Sequence, residues 1–364
     1  MAFRQSTMEN MGLADFWKGR RVFVTGQSGF KGAWLCLWLE RLGAQVTAVA
    51  LPPPSEPSLY ALAGPWPDSY HFTDIRDRHA LADHLRKSEA EIVIHMAAQA
   101  LVRPSYADPD ETFSTNVMGT VSVLDAVRDA PTVKTVLVVT SDKVYANDGA
   151  GRAFVESDPL GGKDPYSASK ACTELVCASY AHSFMDERGV TLATARAGNV
   201  IGGGDWAQDR LVPDFIRALE QGAPLKLRYP DAVRPWQHVL EPLGGYLTYA
   251  QALTEGDGAA ALPAALNFGP QAQDFATVAE LADALGKGFA LERAWEQAPG
   301  QWASEAPFLT LDSTLAAEAL GWRPHLDRQQ TVDWTVAWYR AHRDGADMRA
   351  FTERQIADYE EMMA

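Results

Sequence analysis

Cysteine is scarce, cations are outnumbered, and apolar runs stop short of membrane-spanning length. The three cysteines, Cys36, Cys172 and Cys177, show no metal-ligand spacing and cannot all pair. A disulfide framework is therefore not expected, and reduced, packed thiols in a cytoplasmic protein are. The formal net charge of −15 argues against a nucleic-acid-binding surface, while leaving room for a local basic pocket. No run is long enough to cross a bilayer, and the polar stretch Met1 to Gly12 lacks the apolar centre of a secretion leader. These first residues read as a loose arm. Internal repeats and low-complexity tracts are missing too, and the Ala/Gly run Gly256–Ala265 reads as a surface loop.

What is present suits an enzyme-sized globular chain. Its 364 residues, 47% hydrophobic and 22% charged, can bury a large core as two domains or as one with a lobe. Arg21–Thr25 is a strand, followed at once by Gly26-Gln27-Ser28-Gly29-Phe30-Lys31-Gly32 and an apolar helix carrying Trp34, Leu35, Trp38, Leu39 and Leu42. Strand, glycine turn and helix together describe a dinucleotide site. The glycines allow a tight turn and close approach to a pyrophosphate, and the helix N-terminus meets its charge. Further strands are expected at Gln45–Leu51, Glu91–Gln99, Thr135–Val139 and Val190–Arg196, alternating with helices. Such alternation predicts an α/β, Rossmann-like doubly wound parallel sheet. After Arg196 short pieces interleave with Pro and Gly, which suggests a smaller C-terminal lobe. The expected division is an arm over 1–15, a dinucleotide-binding domain over 16–197, and a substrate lobe over 198–364 with segments returning to the first domain.

The stretch Thr140–Lys170 carries the chemistry. Ser141, Asp142 and Lys143 emerge at the C-terminal end of a buried strand, the edge where open α/β sheets place ligands. Asp164 can cap a helix that begins at Pro165, and Tyr166 and Lys170 then share one face. A phenol beside an ammonium near a helix N-terminus should have a lowered pKa, which describes a proton-transfer site. At the end of the fourth strand, Ala97, Ala98 and Gln99 are small or slim enough for a cofactor to approach backbone. His95 reads as a packed, hydrogen-bonded histidine. Downstream, Asp209-Arg210, Arg234–Val239 and Asn267–Pro270 bring arginines, aromatics and glycines together; guanidinium forks clamp diphosphates and aromatic faces stack bases.

Ser141 at a strand end, followed by Tyr166-x-x-x-Lys170 and preceded by Gly26-x-x-Gly29-x-x-Gly32, resembles the extended short-chain dehydrogenase/reductase family, whose NAD(P)-dependent members remodel nucleotide sugars. The resemblance assigns cofactor contacts to Gly26, Gly29, Phe30, Gly32, Asp74, Ile75, Ala97, Ala98, Gln99, Asn116, Tyr166 and Lys170. Asp74 reads two ways, as a residue at the adenine or as a capping acid at a strand-to-helix junction. No acidic residue closes the second strand, so NAD and NADP are not told apart there. Within the family, Thr140-Ser141-Asp142-Lys143, Leu160–Ser167, Gly198–Trp206 and Arg234–Val239 are similar to the branch that dehydrates CDP-linked glucose. The segment Ala146–Phe154 departs from that branch, being shorter and free of tryptophan.

The resemblance implies an internal redox elimination. Tyr166, aided by Lys170, would take the 4-hydroxyl proton while Ser141 holds the oxygen. Asp142 would protonate the leaving 6-hydroxyl and Lys143 would act as the base at C5. Asn199, Arg210, Arg234 and His238 would bind the nucleotide sugar, CDP-glucose. No metal or membrane partner is implied. A homodimer is, through helices Asn116–Arg128 and Tyr166–His182, as is a role in deoxysugar supply for lipopolysaccharide O-antigen. A nucleotide-sugar 4-epimerase would use the same Ser141, Tyr166 and Lys170, a dehydratase acting on another nucleotide hexose would keep the whole set, and a non-catalytic NAD sensor would typically lose the Tyr-Lys pair.

Overall fold

Runs of β-branched and apolar residues, buried on both faces through the middle strands, line up as a seven-stranded sheet. The computed structural model describes residues 12–147, 149, 151–256, 262–300 and 308–364. The strands are β1 (Arg21–Thr25), β2 (Gln45–Ala50), β3 (Tyr70–Phe72), β4 (Ile92–His95), β5 (Thr135–Val139) and β6 (Thr191–Ala197), with Ala265–Phe268 at the edge. Their spatial order is β3-β2-β1-β4-β5-β6 and then Ala265–Phe268, and every neighbouring pair is parallel. The chain enters centrally at β1, runs outward to β3, and crosses back to β4, where Thr25 stands opposite His95. That reversal opens a crevice at the strands' C-terminal ends, the position such sheets offer to ligands. The expected parallel sheet is therefore present.

Three local features differ from the expectations. Leu13–Trp17 is already a helix, with Phe16 and Trp17 buried, so the end of the expected arm joins the core; residues 1–11 lie outside the described ones. Half of the expected loop Gly256–Ala265 falls on residues 257–261, also outside them, and Ala265 itself already begins the edge strand. The segment Asn267–Pro270 is no clamp: Asn267 and Phe268 belong to the edge strand, and Asn267 Nδ2 is spent on the carbonyls of Phe154 and Asp312.

The last helices, Arg328–Arg343 and Met348–Met363, return to the first half of the chain. Trp38 Nε1 donates to Glu360 at 2.9 Å and Arg41 pairs with the same carboxylate at 2.8 Å. Trp34, Trp38 and Trp338 are fully buried, and truncating such a ring typically costs about 3–5 kcal/mol. The chain's end thus clamps helix Phe30–Arg41, which follows the glycine turn, from behind.

Candidate active site

The glycine turn is built by exclusion. Gly26 has φ +91° and a side chain there would meet the Ala97 nitrogen at 2.8 Å; a side chain at Gly32 would lie 1.9 Å from the Gly26 carbonyl oxygen. Both positions therefore demand glycine. Gly29 precedes helix Phe30–Arg41 and offers no side-chain cap, so the first helical N–H groups stay available to a ligand. Ala97, Ala98, Phe30, Asp74 and Ile75 share the same cavity wall. A cradle that any Cβ would fill, opposite an uncapped helix start, fits the pyrophosphate of NAD.

Asp74 is held by Arg76, whose Nη2 lies 2.7 Å away and which also reaches Glu111. The guanidinium keeps the Asp74 carboxyl below its usual range. His95 is the packed histidine expected, bonded at Nδ1 to Thr25 and at Nε2 to Thr120, with burial pushing it down to about 3. Asn116 and Gln99 stand behind the wall. Asn116 accepts from the Gln99 N–H and donates to the Gln99 carbonyl and to Ser169 Oγ, tying the end of β4 to the helix of Tyr166. It does so from a π-helical turn, Ser114–Met118, inside a helical run that begins at Pro109. Such one-turn insertions recur at functional sites.

Ser141, Asp142, Lys143, Tyr166 and Lys170 all line this cavity, whose volume is about 980 Å³. Asp164 caps helix Pro165–Tyr180 through the Ser167 N–H at 2.9 Å, with Pro165 in the first position, as expected. Asp142 is buried. Its Oδ1 accepts from Ser141 Oγ at 2.9 Å and Lys143 Nζ at 3.0 Å, and its Oδ2 has no partner among the described residues. Lys170 Nζ donates to the Val139 carbonyl at 3.2 Å; burial pulls it down to about 8, against the pull of Glu174.

The expected lowering of the Tyr166 pKa is not seen. Burial raises it, while Lys143 and a Ser141 hydrogen bond act in the other direction. Sequence spacing puts Lys170 beside Tyr166, but spacing says nothing about desolvation, which opposes the phenolate in a buried site.

On the opposite wall stand Asn199, whose buried Oδ1 has no partner among the described residues, Arg210 and Arg234. Arg210 pairs with Asp205 at 3.3 Å. His238 is a correction: it lies outside the cavity, edge-on between Trp34 and Trp334, because strand Gln237–His238 pairs with Val200–Ile201 and turns it into the core. Sequence reading missed Arg103, Arg228 and Lys31 in the wall. Asp209 bridges Arg103 at 2.7 Å and Arg228 at 3.5 Å, joining the two halves of the cavity rim. The basic-aromatic run Lys226-Leu227-Arg228-Tyr229 was the signal for one of them.

The divergent segment 146–154 folds back on the C-terminal region. Ala146 N donates to the Pro159 carbonyl, Phe154 bridges to Leu311, and the Tyr145 and Phe154 rings stack at 4.9 Å. Tyr145 and Asn147 reach the cavity wall, whereas residues 148 and 150 lie outside the described ones.

A dinucleotide cradle, a hydroxyl-carboxyl-amine trio and a buried Tyr-Lys pair in one cavity can support proton transfer coupled to hydride transfer on an anionic ligand. Comparison with known proteins agrees. The model of the NAD dependent epimerase/dehydratase family matches residues 22–262. The CDP-glucose 4,6-dehydratase of Salmonella typhimurium is 45% identical over 95% of this chain and 97% of its own. The dTDP-glucose 4,6-dehydratase of Streptomyces antibioticus is 30% identical over 76% and 79%. Among solved structures, the dTDP-glucose 4,6-dehydratase of Streptomyces venezuelae with NAD and TYD bound superposes with a TM-score of 0.75 at 26% identity, covering 90% of this chain and 98% of that one.

Proposed function

The chain belongs to the NAD dependent epimerase/dehydratase family, and from that premise we propose that it is a hydro-lyase converting CDP-D-glucose to CDP-4-keto-6-deoxy-D-glucose. The observation that carries this is Asp142-Lys143 beside Ser141, Tyr166 and Lys170 in one cavity with the glycine cradle. An epimerase needs the last three, but not an acid and an amine next to Ser141.

NAD, when bound, supplies the acceptor and later the donor of the hydride that moves from sugar C4 to C6. Tyr166 takes the proton of the 4-hydroxyl, and Ser141 holds that oxygen through the hydroxyl it also presents to the phenol. The buried cavity makes the neutral phenol the resting form, so proton removal is coupled to oxidation of the sugar. With C4 a ketone, the C5 proton is acidic. Lys143 stands as its acceptor, and Asp142, with one carboxylate oxygen unpartnered, as the proton donor to the departing 6-hydroxyl. Arg210, Arg234 and Asn199, which line the same cavity, would hold the nucleotide diphosphate.

The same reading makes the protein a cytoplasmic homodimer that supplies a deoxysugar for lipopolysaccharide O-antigen. Supporting dimerisation are Phe113, Met118, Leu175 and Phe184, large apolar side chains left exposed along the two neighbouring helical segments.

The test is mass spectrometry of CDP-glucose, dTDP-glucose, UDP-glucose and GDP-mannose after incubation with the protein and NAD. Loss of one water from CDP-glucose alone is expected. Water loss confined to another nucleotide moves the substrate, and an isomerised sugar of unchanged mass replaces the reaction with epimerisation.

A further inference from the structure

Lys31 stands where electrostatics disfavours a cation. It is the second residue of helix Phe30–Arg41, at the positive end of the helix dipole, and no acidic residue shares that first turn. Among the described residues no carboxylate lies within ion-pair distance of its amine, which instead donates to Tyr246 Oη at 3.5 Å and lies 5.7 Å from the centre of that ring. Tyr246 is fully buried on helix Leu240–Glu255.

The charged groups that face the amine come from three other elements. Arg210 precedes helix Leu211–Glu220, Lys170 belongs to helix Pro165–Tyr180 together with Tyr166, and Asp142 and Lys143 form the turn after β5. Three of these are cations, and the one carboxylate, Asp142, already receives Ser141 and Lys143 on Oδ1. His238, in the core behind, adds no charge because burial keeps its imidazole neutral. Burial and the cations together bring the Lys31 amine down to about 7.

We propose that Lys31 is the cavity's anion-responsive amine: it takes up a proton from solvent as the diphosphate of the nucleotide sugar enters, and then pairs with it. The proposal rests on reading the cavity as a nucleotide-sugar site. Three cations and one carboxylate act on the Lys31 amine directly, while Asp205 pairs with Arg210 and Glu174 acts on Lys170 one step further out; an incoming diphosphate adds negative charge, so the proton cost of an ammonium at Lys31 falls on binding. The groups that act on the Lys31 amine, Arg210 on the substrate wall with Asp142, Lys143 and Lys170, lie on the side of the cavity proposed for the sugar nucleotide. An arginine could not serve, since a guanidinium never gives up its proton.

The experiment is calorimetric titration of the NAD-loaded protein with CDP in two buffers of different ionisation enthalpy, which counts protons taken up. At about pH 8 the wild type should take up close to one proton per CDP, falling toward none at about pH 6. Lys31→Arg keeps the charge permanently, so affinity should stay within about threefold and the uptake vanish. Lys31→Met should lose the uptake and bind CDP about tenfold more weakly. Proton uptake unchanged in both variants, or absent from the wild type, overturns the proposal. If Lys31→Met fails to melt cooperatively, the uptake in Lys31→Arg decides alone. Turnover of CDP-glucose is read separately. Absent turnover with the CDP pattern intact sinks the dehydratase reading and leaves Lys31 as a diphosphate receptor; intact turnover without the pattern sinks the role of Lys31.

Discussion

The two walls of the cavity are made in different ways. The cofactor wall is mostly backbone: a glycine turn whose shape is dictated by Gly26 and Gly32, a helix start without a cap, and small residues at the end of β4. The substrate wall is mostly charge, with Arg103 and Arg228 bridged by Asp209 and Arg210 held by Asp205. Backbone shape tolerates almost no substitution but needs only a short contiguous stretch to encode it. Charged side chains on loops tolerate exchange, and they come from distant parts of the chain. Between the walls sits the cluster proposed for proton transfer, Ser141, Asp142, Lys143, Tyr166 and Lys170.

Breaking that central cluster should have the largest effect. Tyr166→Phe should lower kcat by about 10²- to 10⁴-fold while CDP-glucose binding stays within about threefold; a variant with near-normal kcat would take the phenol out of the chemistry. Lys143→Ala should slow water loss by about a hundredfold and leave sugar binding intact. Full turnover in that variant would remove Lys143 as the C5 base.

Next comes the backbone wall. Gly32→Ala puts a methyl 1.9 Å from the Gly26 carbonyl oxygen. It should destabilise the fold by about 1–3 kcal/mol and abolish NAD binding in a fluorescence titration. Wild-type NAD affinity there would show that the turn adapts, and the contrast between the walls would collapse. The smallest effect is expected at the edge of the same wall. Asp74 is engaged by Arg76 in a partly exposed pair, so Asp74→Asn should leave the melting temperature nearly unchanged, since such pairs contribute about 0–1 kcal/mol. If it also leaves NAD affinity unchanged, Asp74 is a local brace and not an adenine contact.

Much of this was legible before any coordinates. The strand-turn-helix at Arg21–Arg41 and the capped start at Asp164-Pro165 depend on neighbours in the chain, and local sterics and capping decide them. Strand Thr135–Val139 announced itself by lacking polar alternation. His238 was misread because a motif places a residue in sequence, whereas the two-residue pairing with Val200–Ile201 decides which way it faces. Asn267 was misread for the same reason, its amide being consumed by two distant carbonyls.

The sequence by itself determined the sheet and the cradle, and it singled out Ser141, Asp142, Lys143, Tyr166 and Lys170 as candidates, because periodicity, capping and glycine sterics act over a few residues. Only the tertiary structure decided their charge states and their company. Burial raised the Tyr166 pKa that spacing alone would have lowered, left Asp142 Oδ2 without a partner, and set Lys31 among three cations from elsewhere in the chain. Desolvation and Coulomb interactions depend on distance through space, and that distance exists only once the chain has folded.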